Sequence, residues 1–134
     1  MKPQYSYSID IKEHHLDTFG HVNNATYLNL YEQARWEILN EHNYSVADIQ
    51  QKKMGPVILR AEISFKRELT LRKKITINSY LKEIRSSKIM DVHQEMIIDH
   101  GKLASELTLT LGLMDLKKRK LIPFTDDWLA PWKG

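Results

Sequence analysis

The sequence contains no cysteine, which excludes a disulfide framework, a thiol nucleophile and a thiolate metal site. No stretch approaches the roughly 18 consecutive apolar residues of a membrane-spanning helix. The opening residues MKPQYSYSIDIK lack the apolar core of a secretory signal. A cytoplasmic protein with no membrane partner is therefore expected. Neither charge dominates: 20 Lys and Arg stand against 17 Asp and Glu, a formal net charge of +3. The surplus is partly local, with Arg67, Arg72, Lys73 and Lys74 in one cluster and Lys117, Lys118, Arg119 and Lys120 in another. Each cluster reads as a solvated turn between strands. No nucleic-acid partner is expected, because the charge is near balance and no basic strand carries clustered aromatics.

Several catalytic signatures are missing as well. There is no Gly-x-Gly-x-x-Gly or Walker A loop to cradle phosphates, which argues against a nucleotide-dependent kinase. There is no Gly-x-Ser-x-Gly elbow for a serine hydrolase. The six His form neither a His-x-x-x-His helical pair nor a Glu-x-x-His motif, so no metal site is expected.

What is present fits one domain spanning residues 1–134, with 42% hydrophobic residues to build its core. No internal repeat or low-complexity segment divides it. Tyr5, Tyr7, Ile9 and Ile11 alternate with polar residues and predict a half-buried strand. Helical spacing follows from about Ala25 to about His42, where Tyr27, Leu30, Tyr31, Ala34 and Ile38 form one stripe, with Arg35 on a more polar side. A short helical turn is expected at 46–52. After Pro56 the period changes to two. Strands are expected over 57–66, 74–84, 88–98 and 103–113, with a short segment at 121–124. The tail TDDWLAPWKG carries two Trp expected to dock on the body. This order predicts an α+β fold, an antiparallel meander with one long helix across a face.

The richest chemistry lies at residues 14–27, HHLDTFGHVNNATY, between the first strand and the long helix. Asp17 sits seven residues before Asn24, the expected N-cap, and Gly20 lets the chain fold back. A carboxylate near a helix N-terminus stays ionised, beside N–H groups free to receive a carbonyl oxygen. Asp17 could then activate water or attack an acyl carbon. His21 could orient water or bind substrate, and Asn23 could hold Asp17 or the water with its amide.

The run HLDTFGHVNNATYLNLYEQARWEIL resembles the active-site segment of hotdog-fold thioesterases of the 4-hydroxybenzoyl-CoA thioesterase type, and most of all the bacterial long-chain acyl-CoA thioesterases among them. The resemblance implies an antiparallel sheet wrapped around one long central helix. It implies a homodimer or homotetramer with the active site between subunits. It makes Asp17 the catalytic carboxylate, as nucleophile or general base. Backbone N–H groups from Asn24 to Tyr27 would polarise the thioester carbonyl, and no cofactor is required. The expected reaction is hydrolysis of a medium- or long-chain acyl-CoA to free acid and CoA, with an aryl-CoA or an acyl carrier protein as further possible substrates. Tyr27, Leu30, Tyr31, Ile58 and Phe65 are candidates for the acyl slot. Arg60, Arg67, Arg85, Ser86, Ser87 and Lys88 are candidates for the CoA phosphates, since cations, hydroxyls and backbone N–H groups can converge in the 85–88 turn. A non-catalytic acyl-CoA binding module would keep the pocket without the chemistry. A dehydratase would pair Asp17 with His21.

Overall fold

The computed structural model describes residues 3–133. Its order is β1 (Tyr5–Asp10), α1 (Asn24–Glu41), α2 (Val46–Lys52), β2 (Met54–Phe65), β3 (Lys74–Ile84), β4 (Met90–Ile98), β5 (Lys102–Asp115), β6 (Lys120–Ile122) and α3 (Asp126–Lys133). The predicted long helix and the period-two strands all form, each within a few residues of its expected bounds.

Helix α1 contains neither Gly nor Pro, and it buries Tyr27, Leu30, Tyr31, Ala34, Ile38 and Leu39. That stripe packs on the inward positions of the sheet, among them Ile75, Ile77, Met90, Val92, Met96, Leu107, Leu109, Leu111 and Leu113, all buried. Each large side chain so buried contributes about 1.5–3 kcal/mol relative to exposure. Three polar residues interrupt the apolar rows without leaving groups unpaired. Gln94 donates to the Tyr31 carbonyl at 3.1 Å and to Ser79 Oγ at 3.0 Å. Tyr31 donates its hydroxyl to Ser105 Oγ at 2.9 Å.

All pairings are antiparallel, in the order β1-β3-β4-β5-β2, with β6 on β5. The predicted meander holds for β3, β4 and β5. It fails for β2, which pairs β5 and not β3. The segment 66–73 carries the chain across to β3 and anchors itself through buried Leu69. This is the hotdog arrangement, a sheet wrapped around one long helix. It leaves the 12-residue β2 as a sheet edge, paired on one side only. The two tail Trp do dock: Trp128 packs edge-on against Tyr44 at 5.2 Å and donates its indole N–H to Met90 Sδ at 3.3 Å. Among the described residues no helix is long and apolar enough to cross a membrane.

Candidate active site

The loop between β1 and α1 is closed by an isolated bridge between Leu16 and Val22. Inside it, Asp17 ties the chain to itself. Its backbone N–H donates to the His21 carbonyl at 2.9 Å, and its carbonyl accepts from Gly20 at 3.1 Å. Its Oδ1 accepts the backbone N–H groups of Phe19 at 2.9 Å and His21 at 3.1 Å. Gly20 sits at φ +78, a conformation L side chains rarely adopt. One carboxylate oxygen thus builds the loop. Oδ2 has no hydrogen-bond partner among the described residues and lies in an exposed stretch. The loop also holds Phe19 out at 84% exposure. His21 contributes its backbone to the loop, and its ring is exposed.

The helix starts one residue earlier than predicted. Asn23, not Asn24, is the N-cap, and its Oδ1 accepts from Ala25 N–H at 2.8 Å. The two adjacent Asn have the same capping chemistry, so composition could not separate them. The Asn23 amide oxygen is therefore occupied by the helix, and Asp17 Oδ1 accepts from backbone N–H groups and not from the Asn23 amide. The Asn23 carbonyl accepts from Thr26 at 2.9 Å and Tyr27 at 3.3 Å. Of the four N–H groups from Asn24 to Tyr27, three already have acceptors, and Asn24 N–H is the one without one among the described residues.

Asn24 itself lines a cleft. A cavity of about 270 Å³ lies beside the start of α1, lined by Val22, Asn24, Tyr27, Phe65 and the Lys66–Glu68 segment. Tyr27 and Phe65 meet edge to face at 4.9 Å and form its apolar wall. Burial pushes the Tyr27 phenol up from its ordinary range, so it stays a neutral wall. Arg67 stands at the cleft and donates to the Leu103 carbonyl at 3.0 Å. Of the predicted slot residues, Leu30 and Tyr31 are core, whereas Ile58 and Phe65 remain 43% and 46% exposed.

The other expected phosphate ligands are elsewhere. Arg60 is exposed on β2 and paired with Glu62 at 3.6 Å. Arg85 donates through Nε and Nη2 to Asp91 Oδ2, at 2.7 and 2.6 Å. Asp91 is 1% exposed and also accepts from Thr110 Oγ1 at 2.8 Å. Arg85 is thus committed to a buried carboxylate. Ser86 Oγ accepts from Lys88 N–H at 3.2 Å, and the Ser87 carbonyl accepts from Phe124 N–H at 2.8 Å. The strand register puts this turn beside Met90, Leu111 and Ile58, whereas the cleft lies at the Phe65 end of β2. The seven positions between them span roughly 23 Å, so one chain does not bring the turn to its own cleft.

Sequence reasoning missed Arg35, which is drawn inward to donate from Nη1 to Gln94 Oε1 at 2.9 Å. Burial holds its guanidinium down to about 10. Its place on the helix face read as polar, and only the buried amide opposite it could have betrayed the difference. His15 is a second case, buried with Nδ1 accepting the Lys12 N–H at 2.9 Å. Among the described residues, no three His, Asp or Glu converge as a metal site.

The chain is similar to several known proteins. The Escherichia coli (strain K12) long-chain acyl-CoA thioesterase FadM is 28% identical over 114 residues, covering 85% of this chain and 86% of the relative. The crystal structure of YbaW from Escherichia coli aligns at TM-score 0.78 with 26% identity, over 94% of each chain. SAV2348 from Staphylococcus aureus, solved in complex with CoA, shares the fold at TM-score 0.87 and 16% identity, over 98% of this chain and 83% of that one. The model of the thioesterase-like superfamily matches residues 11–132, and the chain belongs to that superfamily.

Proposed function

We propose that this protein hydrolyses acyl-CoA thioesters with a medium or long aliphatic acyl group, releasing free acid and CoA. Thioester hydrolysis as the reaction class follows from membership of the superfamily, and the acyl-CoA class draws on the likeness to FadM. The observation that carries the reading is a pairing of groups. Asn24, whose N–H at the helix N-terminus has no acceptor among the described residues, lines a cleft, and the preceding loop leaves one oxygen of Asp17 uncommitted.

In this reading the thioester carbonyl oxygen accepts from Asn24 N–H, which favours the charge that develops there. Asp17 Oδ2 then acts in one of two ways. As general base it takes a proton from water while the water oxygen bonds to the carbonyl carbon. As nucleophile it forms that bond itself, and water then opens the acyl-carboxylate anhydride. Either way the C–S bond breaks, and the electron pair leaves on sulfur as a thiolate. That leaving group is good enough to need little acid assistance. His21 orients the water, Asn23 fixes the helix start, and Tyr27 and Phe65 shape the entry. No cofactor takes part.

The working unit in this reading is a cytoplasmic homodimer or homotetramer formed along β2. Its open edge carries Ile58, Leu59 and Phe65, at 43%, 48% and 46% exposure, the kind of long apolar edge that proteins cover. Antiparallel pairing of two β2 edges sets the Ile58 end of one against the Phe65 end of the other. Ser86, Ser87 and Lys88 of one copy then approach the cleft of its partner, where Arg67 already stands. This assigns CoA phosphates to a composite site that a single chain lacks.

The test is a panel of acyl-CoA esters from acetyl to palmitoyl, plus benzoyl-CoA, followed by free-thiol release. Turnover is expected to peak at medium or long chains. A peak at benzoyl would overturn the acyl class, and tight binding without turnover would make the chain a binding module.

A further inference from the structure

A second pocket lies on the same flank of α1 and β2, away from the cleft. It measures about 130 Å³, and Leu39, Pro56, Ile58 and Leu111 supply apolar walls. Two hydrogen-bond donors line it with unmet capacity. Arg35 has one neutral acceptor, Gln94 Oε1, and no carboxylate within ion-pair distance among the described residues. Trp132 is 1% exposed, and its indole N–H has no acceptor among the described residues. A buried donor without a partner costs about 1–3 kcal/mol, so the unpartnered Trp132 indole, beside a guanidinium whose one side-chain acceptor is neutral, points to a ligand atom that accepts from both. Glu32 also lines the pocket but is exposed, and it does not pair with Arg35.

The spacing says where such an atom would sit. Asn24 and Arg35 are 11 residues apart on α1, which is roughly 16 Å along the axis. An extended acyl chain advances about 1.3 Å per carbon, given C–C bonds of about 1.5 Å. A chain with its thioester at Asn24 therefore reaches Arg35 after about a dozen carbons.

Resting on the thioesterase reading, we propose that Arg35 and Trp132 select acyl chains that carry an oxygen acceptor near the far end, a carboxylate or a hydroxyl about a dozen carbons from the thioester. The apolar walls hold the methylenes, and the two donors hold the oxygen. A plain hydrocarbon end would leave the Trp132 N–H unmet and add no acceptor for Arg35, and sites built to hydrogen-bond a substrate group reject analogues that lack it.

The test is calorimetric binding of dodecanoyl-CoA, 12-hydroxydodecanoyl-CoA and dodecanedioyl-CoA to the full-length Asp17→Asn protein, with hydrolysis of the same esters by wild type. The oxygenated esters are expected to bind about tenfold tighter than the plain one. Arg35→Met is expected to abolish that preference by weakening the two oxygenated esters to the level of the plain one, and Arg35→Lys to retain part of it. Equal or tighter binding of the plain ester to the Asp17→Asn protein overturns the proposal, with no need for an Arg35 variant. An Arg35→Met protein that weakens all three esters alike also overturns it. Preferential binding of the oxygenated esters with no hydrolysis by wild type would sink the thioesterase reading while the pocket assignment stands.

Discussion

Replacing Arg85 by Met is expected to destabilise the fold by about 3 kcal/mol while leaving acyl-CoA affinity nearly unchanged. The asymmetry of the ion pair sets the size. The Arg85 side chain is 51% exposed and the Asp91 side chain 2%. Without Arg85, the buried carboxylate keeps only the Thr110 hydroxyl on Oδ1 and loses both bonds on Oδ2. An uncompensated buried charge costs about 3–5 kcal/mol, and the lower end applies because the departing side chain opens Asp91 to water. The mirror variant, Asp91→Asn, frees a half-exposed guanidinium that simply hydrates, at about 1 kcal/mol. For 134 residues, 3 kcal/mol corresponds to a fall in Tm of about 10 °C. Urea unfolding of the two variants measures the difference directly, and KM measured below the melting range reads binding. Asp91→Asn proving as costly as Arg85→Met would refute the electrostatic reasoning. An Arg85→Met protein of wild-type stability with a raised KM would return Arg85 to the phosphate site.

Three further outcomes are expected. Asn23→Ala removes the acceptor for Ala25 N–H and lowers stability by about 1 kcal/mol, read from the urea midpoint. Gly20→Ala meets no atom within 4 Å but must hold φ +78, so a loss of about 1 kcal/mol should come with a lower kcat as the Asp17 loop shifts. His15 is held below its ordinary 6.5 by burial, then by His14 and Lys12, so the folded state binds fewer protons there than the unfolded state. Stability should therefore fall as pH drops below about 6.5, and His15→Gln, assayed by urea unfolding from pH 7 to 5, should flatten that slope.

The central helix was legible because one stripe of apolar residues at three and four spacing has a single reading. The strands were legible for the same reason at period two. Pairing was not. Alternation shows that 57–66 has one inward face, but it does not name the strand beside it, so β2 was set next to β3 when it belongs beside β5. The loop chemistry was half legible: Asp17 and Gly20 stood out, but Asn-Asn offered two equivalent caps. Charges misled most. Arg85 looked like a free cation because its partner, Asp91, sits at an outward strand position that folding buries. Arg35 looked solvated because the amide that draws it inward lies 59 residues away.

The proposed chemistry turns on Asp17, and steady-state hydrolysis of the best acyl-CoA ester by Asp17→Asn beside wild type tests it most directly. The isosteric amide keeps an oxygen for the Phe19 and His21 N–H groups and removes the base. Loss of about 100-fold or more in kcat, with a wild-type melting curve and unchanged KM, is the predicted result. Wild-type kcat in a folded Asp17→Asn protein would contradict the assignment of the carboxylate.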